Sequence, residues 1–208
     1  MTTVGVTGGI GSGKSALVAR LARHAGVRTV LADDVAKRLM AEDPDVRRQL
    51  VDRFGAETFG PDGALDRAYL AGRVFGDPAE VAALNAIVHP AVRRALIDAV
   101  GQAEADGVAV LVYEAALLFE TGGDAVVDRV VWVDAPVETR LARAAARDGV
   151  DVEAVRARMR HQIDPEMARA RADVVVDNAG DLAALWAAAD ALAADLGAGP
   201  GVAEREGG

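Results

Sequence analysis

Residues Gly8-Gly9-Ile10-Gly11-Ser12-Gly13-Lys14-Ser15 restrict the fold of this chain more than any other stretch. They satisfy G-x-x-x-x-G-K-[ST] in full, with a β-branched apolar run (4–7) leading in and an amphipathic stretch (16–24) leading out. Glycines at these spacings let successive backbone N–H groups turn inward around phosphate oxygens, at the positive end of the following helix. Lys14 is expected to reach the β- and γ-phosphates of a nucleoside triphosphate, and the Ser15 hydroxyl to ligate Mg²⁺. Lys14 is one of only two lysines in the chain, the other being Lys37.

Five short apolar runs, at 4–7, 29–32, 108–113, 130–134 and 174–177, read as strands covered on both faces. Helical patterns lie between them, so the fold class is α/β, a doubly wound five-stranded parallel sheet. The expected organisation is one domain over 1–196, with a core at 1–40, 105–148 and 172–196. Into it are inserted a helical substrate region at about 41–104 and a lid at about 149–171. Helices are expected near 33–42, 44–54, 66–75 and 78–104, with a turn at Gly60-Pro61-Asp62-Gly63. The Gly-rich, charged tail, 197–208, is expected to be disordered.

Composition narrows the partners. The 208-residue chain has a net charge of −9, which argues against a general nucleic-acid binder, and contains no cysteine. Eight arginines against five acids within 140–171 confine positive potential to one region, where an anionic ligand can be met. Neither a secretory signal nor a membrane span is evident, so a cytoplasmic protein is expected, as a monomer. Guanine specificity lacks support, because no Asn-Lys pair occurs.

Several residues outside the loop can carry chemistry. Asp33 closes the second strand and should face the same crevice as Lys14. Its carboxylate can take a proton from an acceptor hydroxyl, or it can simply N-cap the following helix; both readings stand. Glu114 ends the third strand and is a candidate for Mg²⁺ through water. Asp134 precedes Ala135-Pro136, which fits the start of a helix. Arg140, Arg143 and Arg147 share one helix face, either to hold phosphate or as a solvated exterior. Pro90 is expected to stop one helix or begin the next, with His89 beside it in a structural or a phosphate-binding role.

Taken in order, these elements resemble the dephospho-CoA kinase family, from about Val4 to Trp186. The resemblance rests on the Val6–Ser15 string, Ala32-Asp33 with Ala36-Lys37, Leu65-Asp66-Arg67, Val74-Phe75 and Leu84-Asn85 with His89-Pro90. Leu117-Leu118-Phe119-Glu120, Arg143, Arg147-Asp148, Gln162 and Asp177-Asn178-Ala179-Gly180 complete it. It implies ATP-dependent phosphorylation of the ribose 3′-hydroxyl of dephospho-CoA, with Mg²⁺ as cofactor and ATP and dephospho-CoA as the small-molecule partners. Asp33, Lys14 and Arg147 become the implied catalytic residues. Gly8 to Ser15, Ala16, Arg143, Asn178 and Gly180 are implied at ATP, and Thr7, Asp33, Arg67 and His89 at the acceptor. Two positions depart from the family pattern. Ala116 stands where a proline usually precedes Leu-Leu-Phe-Glu, and Ala16 where a threonine usually follows the loop serine. The alternatives are another P-loop nucleoside or nucleotide kinase, or a nucleotide-gated binding protein.

Overall fold

The computed structural model describes residues 1–74 and 76–201. Five strands, β1 (Thr2–Gly8), β2 (Val27–Leu31), β3 (Val110–Glu114), β4 (Arg129–Asp134) and β5 (Val174–Asp177), form one sheet in the order β2-β3-β1-β4-β5. Parallel pairing joins β1 to β3 and to β4, and β4 to β5. The middle strands are covered on both faces, with Val4, Val6, Leu111, Val112, Val131 and Val133 all at 0–1 % exposure. The edges differ from the sequence expectation. Every β2 residue is only half-buried, and in β5 Val175 is exposed while Val176 is buried. An edge strand has a neighbour on one side only, so an apolar run there does not require cover on both faces.

Contacts divide the chain into two compact units, residues 31–99 and the remainder. The first unit in sequence holds the sheet, α1 (Lys14–Leu21), α6 (Val137–Asp148), α7 (Val152–Met159), α8 (Pro165–Arg171) and α9 (Leu182–Asp195). The helices α7 and α8 occupy the segment expected as a lid, and Asp151 and Asp164 cap their N-termini by accepting from Ala154 N and from Glu166 N. Part of the expected tail is ordered: Gly199 N donates to Ala25 O, and Gly201 bridges His24. Backbone amides paired in this way account for the order at 197–201; the rest of that tail lies outside the described residues.

The second unit is helical: α2 (Ala32–Glu42), α3 (Pro44–Phe54), α4 (Arg67–Val74) and α5 (Pro78–Ala105), the last continuing past residue 99. It begins about ten residues earlier than expected, so α2 belongs to it and not to the core. Pro44 at the first position of α3 and the Asp43 carboxylate, which accepts from Asp45 N and Val46 N, fix that helix start. Val46, Leu50, Phe54, Leu70 and Ala91 form the unit's own core. The turn expected at 60–63 is present, closed by Gly63 N donating to Gly60 O at 2.8 Å. Phe75, expected to end α4, lies outside the described residues.

Pro90 neither ends nor begins a helix: it sits within the 28 residues of α5. A proline forfeits one backbone hydrogen bond. Here its neighbours Val88, Ala91 and Val92 are each buried to 8 % exposure or less, and burial along that face offsets the loss.

Candidate active site

The phosphate loop passes from the buried end of β1 into α1. Thr7 is buried at the end of the strand, in register with Trp132. The loop is braced by its own backbone, with Ser12 N donating to Gly9 O, and by Lys14, whose ammonium donates to Gly8 O at 2.8 Å and Gly9 O at 3.3 Å. Gly13 caps α1 at φ 96°, and a Cβ there would run into the Asn178 amide, so only glycine suits both the backbone and its neighbour. Ala16, in the first turn of α1, donates its N–H to Gly13 O.

Side chains from three other places hold the loop. Asn178, after β5, is buried; its Nδ2 donates to Ser12 O at 2.7 Å and its N–H to Asp134 O. Its side chain therefore acts on the loop. Arg143 on α6 donates to Asn178 O at 3.3 Å, and Gly180 lies exposed just beyond. Gln162, between α7 and α8, accepts from Ile10 N at 2.8 Å and donates to Ala116 O, the residue standing in the usual proline position. Beside it, Ile163 N donates to the Glu120 carboxylate.

Glu114 ends β3, and its Oε1 accepts from Ser15 Oγ at 2.9 Å. A hydroxyl and a carboxylate oxygen in contact at the start of α1 are the hard donors that Mg²⁺ takes. No cluster of three or more His, Cys, Asp or Glu able to hold a metal occurs among the described residues. Water and phosphate oxygens complete such a site, as Mg²⁺ prefers. The residues fit the ion.

Two sequence readings change. Asp134 does not start α6, whose N-cap is Pro136 without a side-chain cap; it is buried and ion-paired to Arg169. The three α6 arginines do not form a uniform solvated face either. Arg140 is 5 % exposed, whereas the Arg147 side chain is 64 % exposed and pairs with Asp148 at 2.7 Å. Hydrogen bonds from Arg147 and then Arg158 hold the Asp148 carboxyl down at about pKa 2. Position along the helix decides this: the first turn of α6 meets the loop, and the last turn projects past it.

In the helical unit, Asp33 lies in the first turn of α2, exposed; the N-cap is Leu31, and no side chain caps the helix. The helix-capping alternative for Asp33 is thereby removed, because the helix begins before it. Asp34 beside it pairs with Lys37 at 3.1 Å. Arg67 is exposed at the start of α4, where the Asp66 carboxylate accepts from Tyr69 N. His89 is half-buried on α5, and burial lowers its pKa below 6.5, which keeps the ring neutral at pH 7.

Residues whose part in the loop no motif identified are Gln162, Asn178 as a brace, and Arg140. The resemblance contained Gln162 and Asn178 and helical spacing contained Arg140, but neither showed what they touch: Gln162 meets Ile10 N, Asn178 meets Ser12 O and Arg140 lies against Gly9.

A parallel sheet in this order, with a lysine-bearing phosphate loop at the end of its central strand, defines a P-loop nucleotide-binding protein of the kinase type. The dephospho-CoA kinase family model matches residues 2–184, and the chain belongs to that family. It is 50 % identical over 182 residues to a dephospho-CoA kinase of Salinibacter ruber, covering 88 % of this chain and 91 % of that one. The solved structure of a Thermus thermophilus protein superposes with a TM-score of 0.73 at 36 % identity, covering 94 % and 97 % of the two chains. A Campylobacter jejuni dephospho-CoA kinase shares the fold at 21 % identity and a TM-score of 0.65, over 94 % and 97 %. No helix among the described residues is long and apolar enough to cross a membrane.

Proposed function

We propose that the chain transfers the γ-phosphoryl group of ATP to the 3′-hydroxyl of dephospho-CoA, giving coenzyme A and ADP. The observation that carries this reading is the family match over residues 2–184, because the loop alone is common to kinases, GTPases and ATP-driven switches.

In this reading the loop amides from Gly8 to Ser15, and Ala16 at the helix start, cradle the phosphates. Lys14 swings from the Gly8 and Gly9 carbonyls to neutralise charge on the transferring group. Ser15 and, through water, Glu114 would hold Mg²⁺, which would supply further charge neutralisation to the phosphates. The Asp33 carboxylate accepts the 3′-hydroxyl proton as the oxygen bonds to the γ-phosphorus and the bond to the β-phosphate oxygen breaks. The absence of a capping role leaves Asp33 available for that task. Arg143 and Arg147 meet the phosphates; Arg147 must exchange Asp148 for them. Asn178 and Gly180 border the adenine, with Asn178 acting mainly through the loop. Thr7, Arg67 and His89 serve the acceptor, and His89, kept neutral by burial, offers a hydrogen bond and no positive charge. Closure of α7 and α8 would exclude water and suppress hydrolysis.

A coupled ADP-release assay with ATP and a panel of acceptors tests the reading. Turnover that depends on dephospho-CoA is expected. Turnover with a nucleoside or nucleotide and none with dephospho-CoA would replace it with another P-loop kinase activity. Phosphate release independent of any acceptor would replace it with a nucleotide-gated switch.

A further inference from the structure

The first turn of α6 puts a charge where charges are costly. Arg140 is 5 % exposed, and among the described residues its side chain makes one hydrogen bond, from Nε to the Ala135 carbonyl at 3.0 Å. Among the described residues no carboxylate pairs with it. The buried acid next in the chain, Asp134, is taken by Arg169. Burial alone pushes the guanidinium pKa down, with no compensating acid. A buried cation is ordinarily paired, since the desolvation penalty amounts to several kcal/mol per ion in order of magnitude.

Its position says what could compensate it. Arg140 Nη1 lies against Gly9: a Cβ built on that glycine would overlap it. The same Gly9 offers its carbonyl to Lys14. Two cations thus flank the second residue of the phosphate loop, one of them the lysine that G-x-x-x-x-G-K-[ST] defines. The other comes from a different helix and is invisible to the motif. Glycine at position 9 is needed for contact, because any side chain would displace the guanidinium.

We infer that Arg140 is a second phosphate-charge residue of the loop, and that the polyphosphate of the bound nucleotide is its counter-ion. The inference rests on the nucleotide-binding half of the proposed function. It explains why an arginine is buried at a point where a methionine or leucine would pack without a desolvation penalty. In the nucleotide-bound state the charge is compensated; without nucleotide it is held by burial and one carbonyl.

The test uses the full chain with Arg140→Met and Arg140→Lys, titrated calorimetrically with ATP, ADP and AMP, alongside thermal unfolding without nucleotide. Arg140→Met is expected to weaken ATP about tenfold to a hundredfold, ADP less and AMP least, with unfolding within a few degrees of the parent. Arg140→Lys should recover much of the ATP affinity. Two results overturn the inference: an Arg140→Met protein that unfolds like the parent and binds ATP equally well, or an equal loss for ATP and AMP. Should the methionine variant fail to fold, Arg140→Gln takes its place against Arg140→Lys, with salt dependence as the readout. The lysine variant should keep the parent's salt sensitivity and the glutamine variant should flatten it; equal behaviour of the two overturns the inference. A parent that shows this pattern yet does not phosphorylate dephospho-CoA would refute the proposed acceptor and leave Arg140 in place.

Discussion

The sheet-bearing unit and the helical unit hold the residues of the proposed site in opposite ways. In the first, the proposed phosphate-binding groups are backbone amides and a few side chains tied to distant parts of the chain by hydrogen bonds: Asn178 donates to Ser12 O, Gln162 accepts from Ile10 N and Glu114 accepts from Ser15 Oγ. In the second, Asp33 and Arg67 are exposed on helix starts and His89 is half-buried, over a core of Val46, Leu50, Phe54, Leu70 and Ala91. A triphosphate looks alike in every P-loop enzyme, so its cradle can be rigid and motif-like. Acceptor recognition varies, and side chains carried on helices can vary without disturbing the loop.

That contrast can be broken experimentally. Lys14→Ala should lower kcat by about 10³-fold in steady-state assays, because the transferring phosphoryl loses its main protein charge. A loss below tenfold would mean that the loop binds without stabilising transfer. Phe54→Ala should destabilise the helical unit by about 3–5 kcal/mol in denaturant titrations, and the sheet-bearing unit should keep its nucleotide affinity. Loss of ATP binding at a denaturant concentration where the protein remains folded would show that the two units are not separable in this sense. Gln162→Leu, which removes the bonds to Ile10 N and Ala116 O, should cost about tenfold in kcat/KM for ATP with unfolding little changed. The smallest effect lies at the C-terminal end of α1, where Asp190 accepts hydrogen bonds from Arg20 and His24. Hydrogen bonding, from Arg20 foremost, lowers its pKa from 3.8 to about 2. The folded value is the depressed one, so the stabilisation is complete above about pH 4 and fades as pH falls towards 2. Asp190→Asn should therefore cost less than about 1 kcal/mol at pH 7 and nothing near pH 2.

The parts of the molecule that were legible in the sequence are those written contiguously. The loop, its strand and its helix are adjacent, so eight residues specify both geometry and chemistry. The five strands and most helices, among them the one expected near 44–54, follow from apolar runs and periods. What stayed hidden depends on contacts across the chain. Pro90 reads as a breaker because its sequence does not show the buried face that carries α5 through it. Asp134 reads as a helix cap because Arg169, 35 residues away, is not visible beside it. The face of Arg140, Arg143 and Arg147 reads as uniform because helical spacing cannot say which turn meets the loop. Asp33 moved the other way: two roles fitted its position, and the start of α2 at Ala32 removed one.

In the proposed reaction donor binding and acceptor activation reside on different groups, and Asp33→Asn separates them when kcat and ATP affinity are measured on the same protein. A fall in kcat of about 10²–10⁴-fold is expected, with the dissociation constant for ATP changed less than about threefold. Unchanged transfer to dephospho-CoA, or loss of ATP binding in step with loss of transfer, would contradict it.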